Sequence, residues 1–99
     1  MQSCHLPIQN TLGLHARAAA KFVHTAGRFT ARIRVARGER EVDGKSIMGL
    51  LLLAAAQGSS IRISADGPDE TAAIAALCKL VDGGFDEVPS DTAQGNPCD

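Results

Sequence analysis

Tryptophan and tyrosine are absent, and phenylalanine occurs three times in 99 residues. The interior must therefore be filled largely by Ala, Leu, Ile and Val, within a hydrophobic fraction of 44%. Long apolar runs are lacking too. The longest, Ile47 to Ala56, is broken by Gly49 and falls short of the roughly 18–20 residues that cross a bilayer. Met1-Gln2-Ser3-Cys4-His5 has neither the basic nor the apolar region of a signal peptide, so a cytoplasmic location with no membrane partner is expected. A net charge of −1 gives no general attraction to nucleic acid. Cys4, Cys78 and Cys98 are odd in number and spread over the chain, without metal-ligand spacing. Neither a disulfide framework, a metal site nor a catalytic thiol is expected, and Cys4 reads as a small buried residue of a strand.

Ninety-nine residues make one small domain. Ser3 to Ile8 alternates, with Cys4, Leu6 and Ile8 on one side, and Pro7 favours an edge strand because it cannot donate to a ladder. From Ala16 to Ala26, Ala19, Phe22, Val23 and Ala26 recur at helical spacing, and Gly27 ends the run. Phe29, Ala31, Ile33 and Val35 alternate with polar residues as a second strand, turning at Arg37-Gly38-Glu39 into a short third strand, Arg40 to Asp43. Ser46 is a natural N-cap for a helix from Ile47 to about Leu53. Ser60 to Asp66 reads as the last strand. A final helix starts around Pro68-Asp69-Glu70, buries Ala73, Ile74, Leu77, Leu80 and Val81, and stops at Gly83-Gly84. The domain then covers 1–88, and 89–99 reads as a disordered tail. The order βαββαβα is that of an α+β fold, an antiparallel sheet with helices on one face.

Chemistry concentrates at Gly13-Leu14-His15-Ala16-Arg17. His15 falls at the N-cap of the first helix, where backbone N–H groups lack intrahelical partners and the helix dipole is positive. A cation in that first turn, Arg17, is unfavourable unless an anion is shared with it. The pattern points to a histidine that carries or touches phosphate. Arg17, Lys21, His24 and Arg28 follow at steps of four, three and four, so they share one helix face suited to an acidic protein partner. In the second helix Leu50 and Leu53 are assigned to the core, which leaves Ile47, Met48 and Leu51 as a partly exposed docking patch.

A second segment, Gly44-Lys45-Ser46-Ile47-Met48-Gly49-Leu50, follows at a distance that completes a pattern. With Asn10-x-x-Gly13-Leu14-His15-Ala16-Arg17, Phe22-Val23, Phe29, and Gly58-x-x-Ile61-x-Ile63-x-Ala65-x-Gly67-x-Asp69-Glu70, it resembles HPr, the histidine-containing phosphocarrier family of the bacterial phosphotransferase system. The resemblance runs over about residues 3–88. It implies a two-layer open-faced sandwich of four antiparallel strands in the order 1-4-2-3 with three helices on one face.

It also implies that His15 accepts a phosphoryl group on Nδ1 from phosphorylated enzyme I and passes it to a histidine of an enzyme IIA component. The chain would then be a monomeric protein substrate between phosphotransferases, without a cofactor and not itself an enzyme. The setting would be sugar uptake and carbon regulation, or a nitrogen-type system. The backbone N–H groups of Ala16, Arg17 and Ala18 would hold the phosphate, aided by the Arg17 guanidinium. Ser46 matches the serine modified by HPr kinase/phosphorylase, which leaves open a regulatory binding module controlled at Ser46. The family commonly has Arg-Pro where this chain has Arg17-Ala18. Alanine restores an N–H and gives up rigidity, so a small shift in phosphohistidine stability is expected.

Overall fold

A computed structural model describes residues 1–9, 12–53 and 55–86. The tail expected at 89–99, the end of the domain near residue 88 and Asn10 of the first motif lie outside the described residues. The elements are β1 (Gln2–Pro7), α1 (Ala16–Ala26), β2 (Arg32–Arg37), β3 (Arg40–Asp43), α2 (Ile47–Leu53), β4 (Ser60–Asp66) and α3 (Glu70–Asp82), followed by a short 3₁₀ turn, Gly84–Asp86. The four strands form one antiparallel sheet in the order β1-β4-β2-β3, and three helices complete an open-faced sandwich. Pro7 is thereby on an edge, as its missing N–H requires.

The core lies between sheet and helices. Ile33 and Val35 from β2 and Ile61, Ile63 and Ala65 from β4 meet Ala18, Ala19, Phe22 and Ala26 from α1. Leu50 and Leu53 of α2 and Ala73, Leu77 and Val81 of α3 close the same cluster. Small residues on α1 permit close approach, and the aliphatic β4 side chains fill the sheet surface, so few aromatics are needed. Two are nevertheless at the centre: Phe22 and Phe85 head the largest fully buried side chains. Phe85 was not part of the expected core, being two residues past the helix stop. The chain turns back there through left-handed backbone at Gly84 (φ 67°) and Phe85 (φ 58°), which brings the ring inward. For a bulky residue this backbone is unfavourable, and burial of the ring offsets it.

Two further expectations are corrected. The strand predicted from Phe29 begins only at Arg32. The reason is a carboxylate: Asp69 accepts hydrogen bonds from the backbone N–H groups of Thr30 and Ala31, both at 2.8 Å, and withdraws them from any ladder. The cysteines differ too, since Cys4 of β1 and Cys78 of α3 form a disulfide across 74 positions of sequence. Alternation along β1 turns Cys4 toward the helix layer, where α3 packs on β1, a pairing that sequence spacing alone does not reveal.

Asp69 also explains how α3 starts. Its side chain is committed to the 30–31 loop and makes no bond to its own helix. Glu70, the first helical residue, accepts instead from the Gly67 N–H ahead of the helix at 3.0 Å and faces the Met1 ammonium at 3.0 Å. The Thr30 hydrogen bond, ahead of that from Ala31, holds the Asp69 carboxyl below the usual carboxylate range, and the Gly67 bond does the same for Glu70. A depressed carboxylate pKa contributes stability above the unfolded value, lost as pH falls through the folded value. Thermal unfolding followed by circular dichroism should therefore show Tm falling below pH about 4. Asp69→Asn should lower Tm at neutral pH and flatten that acid limb; an unchanged limb would refute the assignment.

Candidate functional site

His15 caps α1 from the extended region (φ −85°, ψ −178°), and its Nδ1 accepts a hydrogen bond from the Arg17 N–H at 3.2 Å. The geometry requires a lone pair on Nδ1, which in the neutral ring leaves the proton on Nε2. The first intrahelical bond is made by the Ala19 N–H to the His15 carbonyl at 2.8 Å. Ala16, Arg17 and Ala18 thus carry the early N–H groups at the positive end of the helix. No acid stands in the first turn. The imidazole is half-buried, Ala16 and Arg17 are exposed, and Ala18 is buried under the helix.

The loop before α1 is fixed by backbone. The Leu14 N–H donates to the Ala55 carbonyl at 2.8 Å, and Leu14 is buried. Gly13 (φ 67°) lies so near the 55–56 segment that a Cβ would be 2.6 Å from the Ala55 carbonyl oxygen and 2.9 Å from the Ala56 Cα. Both the left-handed backbone and the space exclude any other residue.

Ser46 acts as the predicted N-cap, its Oγ accepting from the Gly49 N–H at 3.0 Å. The two signature segments meet because α1 and α2 pack together in the helix layer. Leu50 and Leu53 face the core as expected, and Ile47, Met48 and Leu51 are exposed. Sequence reasoning missed one member of this helix surface, Leu52 (60% exposed), and a separate exposed leucine in the loop before α1, Leu12 (68%). Leu52 was legible: four residues beyond Met48, it shares Met48's helix face. Leu12 had no periodic signal, since it lies in the loop.

The basic stripe of α1 is divided. Arg28 is exposed but lies past the end of α1 at Ala26, so it is not on the predicted helix face. His24 is exposed on it, whereas Lys21 is half-buried and donates from Nζ to the Phe85 carbonyl at 2.7 Å. Lys21 thus ties α1 to the turn after α3, and a groove lined by Ala20, Lys21, His24, Thr25 and Leu80 runs beside it. Among the described residues no group of three or more His, Cys, Asp or Glu side chains is placed to hold a metal ion, and no helix is long and apolar enough to cross a membrane.

Residues 2–82 match the family model described as the PTS HPr component phosphorylation site. The chain belongs to the HPr family of phosphotransferase-system phosphocarriers. It is 49% identical to the phosphocarrier protein HPr of Cupriavidus necator over 80 residues, covering 81% of this chain and 90% of that one. It is 45% identical to the phosphocarrier protein NPr of Shewanella violacea over 80 residues, with coverages of 81% and 88%. The crystal structure of an HPr from Thermoanaerobacter tengcongensis superposes with a TM-score of 0.86 at 43% identity, covering 89% of this chain and 99% of that one.

The Gly13 contact yields a direct prediction. Gly13→Ala should cost about 2 kcal/mol or more, from left-handed strain plus the backbone clash. Urea unfolding measures this, and a cost near zero would show that the 55–56 segment does not set the loop.

Proposed function

We propose that His15 Nδ1 accepts a phosphoryl group from phosphorylated enzyme I and delivers it to a histidine of an enzyme IIA component. The observation that carries this reading is the Nδ1 lone pair held at the start of α1 by the Arg17 N–H. Attack by that lone pair forms a bond to phosphorus as the bond from phosphorus to the donor breaks, and the Nε2 proton stays in place. Once the lone pair is used, the Arg17 N–H turns to a phosphate oxygen, joined by the N–H groups of Ala16 and Ala18 and by the Arg17 guanidinium. These contacts hold the group without enclosing it, so transfer onward remains accessible. The same chemistry serves a sugar-uptake or a nitrogen-type system, because the carrier meets only proteins.

Docking in this reading uses the exposed side chains of Ile47, Met48 and Leu51, extended by Leu52, with Arg17, His24 and Arg28 supplying charge toward an acidic partner. Lys21 contributes more to fixing α1 than to contact. The carrier acts as a cytoplasmic monomer and as a protein substrate, with turnover supplied by its partners.

A regulatory role for Ser46 is favoured by its place at the start of α2, directly before exposed Ile47 and Met48. Phosphate added there by HPr kinase/phosphorylase keeps an oxygen to accept from Gly49 and brings about two negative charges to the edge of the docking patch. Modification at Ser46 would therefore slow transfer from enzyme I. Ser46→Asp should raise KM for phosphorylated enzyme I several-fold with kcat retained, and an unchanged KM refutes this role.

Incubation with enzyme I and phosphoenolpyruvate, read by intact mass, tests the carrier reading. Native protein should gain one acid-labile phosphate and His15→Ala none; Arg17→Ala should retain transfer with kcat/KM lowered about tenfold, the worth of one charge-assisted hydrogen bond. A native protein that takes up no phosphate from an enzyme I active on another carrier overturns it.

A further inference from the structure

The helix α2 is too short to support itself. It has seven residues, one of them Gly49, and no basic residue in its last turn, while isolated helices below about 12–15 residues are marginal in water. Its N-terminal end is capped from within by Ser46. At the other end the final carbonyls need donors from elsewhere.

Two arginines of the β2–β3 hairpin provide them. Arg37 Nη1 donates to the Leu53 carbonyl at 3.0 Å, and Arg40 Nη1 donates to the Leu52 carbonyl at 2.7 Å. Both bonds are charge-assisted and both place a cation at the negative end of the helix dipole. The register makes the arrangement more telling. Arg37 and Arg40 are direct partners on the last rung of the hairpin, next to the turn at Gly38-Glu39, and like charges facing across a ladder are unfavourable. The neighbouring acid on β3, Glu41, is engaged by Arg34 at 3.1 Å and by Arg62 at 3.7 Å. What compensates the paired charges is the end of α2.

We propose that Arg37 and Arg40 are positioning residues: together they clamp the C-terminal end of α2 and so present its apolar face, Ile47, Met48, Leu51 and Leu52, to the phosphoryl-donating partner. The inference rests on the carrier reading for the identity of that partner, and on the free protein alone for the clamp. Neither arginine touches the reacting atoms, so loss of the clamp acts on docking and leaves the chemistry at His15 intact.

The test uses the full chain carrying Arg37→Gln with Arg40→Gln, beside Arg37→Lys with Arg40→Lys. Hydrogen exchange on the free protein should show the amides of Leu50, Leu51 and Leu53 at least about tenfold faster in the Gln pair, with Ile61 and Ile63 in β4 unchanged. Phosphoryl transfer should show KM for phosphorylated enzyme I raised about five- to tenfold and kcat within about twofold. The Lys pair should recover part of both effects in parallel. Unchanged exchange in α2 overturns the clamp. Faster exchange with an unchanged KM overturns the positioning role. A Lys pair with native KM but loosened α2 overturns it as well, since charge alone then suffices. Native protein that accepts no phosphoryl group is a failure of the carrier reading, distinguishable because the exchange comparison still decides the clamp.

Discussion

The contact between Gly13 and the 55–56 backbone fixes where the histidine stands. A loop on the surface would leave the start of α1 free to fray, and an N-cap is only as well placed as the residue before it. Here the Leu14 N–H is bound to the Ala55 carbonyl, Leu14 is buried, and Gly13 is pressed against Ala56 with no room for a side chain. Because residues 55 and 56 follow α2, the segment that ends the apolar helix also supports the segment that begins the histidine helix. His15 and the exposed apolar face of α2 therefore share one support, and displacement of either is felt by the other.

The same economy governs the rest of the helix layer. Several bonds that tie one element to the next run from a charged side chain to a main-chain group: Lys21 to the Phe85 carbonyl, Lys45 to the Phe29 carbonyl at 2.7 Å, Asp69 to the Thr30 and Ala31 N–H groups, and the hairpin arginines to α2. A small domain buries too little apolar surface to hold its loops by packing alone. Charged side chains reaching loop backbone satisfy groups that would otherwise compete for water, and they do so beside solvent, where their desolvation is modest. The cost is that several charges which look available for a partner, Lys21 first among them, are already used.

Much of this was legible in the residues. Apolar spacing together with caps and turns located all three helices and three of the four strands within a residue or so, with α2 placed by Ser46 and β3 by the turn at Arg37-Gly38-Glu39. The fourth, β2, was placed three residues early. Thr30 and Ala31 alternate correctly with their neighbours, and only a carboxylate 38 residues or more away in sequence, on Asp69, removes them from the sheet. Phe85 escaped for the opposite reason. Two glycines end a helix convincingly, yet here Gly84 serves to reverse the chain and bury an aromatic. His15, Arg17 and Ser46 stand at helix starts, as read from their neighbours in sequence, which is local information. The Cys4–Cys78 pair and the anchoring of Lys21 are products of tertiary proximity, which no local spacing encodes.

Alanine at position 18 bears on how firmly such a site should hold its cargo. In the first turn, proline would supply rigidity and withhold an N–H, whereas Ala18 keeps the donor and is itself buried against the core. The turn is therefore stiffened by packing rather than by a ring, and one more backbone donor faces the anion end of the helix. In the proposed carrier reading an added donor stabilises bound phosphate, which opposes release; one neutral hydrogen bond contributes only about 1 kcal/mol net. The balance thus shifts only slightly toward retention. Exposure of Arg17 acts in the other direction, since a solvated guanidinium can leave the phosphate as a partner approaches. A carrier needs affinity that a docking partner can overcome, and early helix N–H groups with one solvated arginine would, in the proposed reading, supply affinity of that kind.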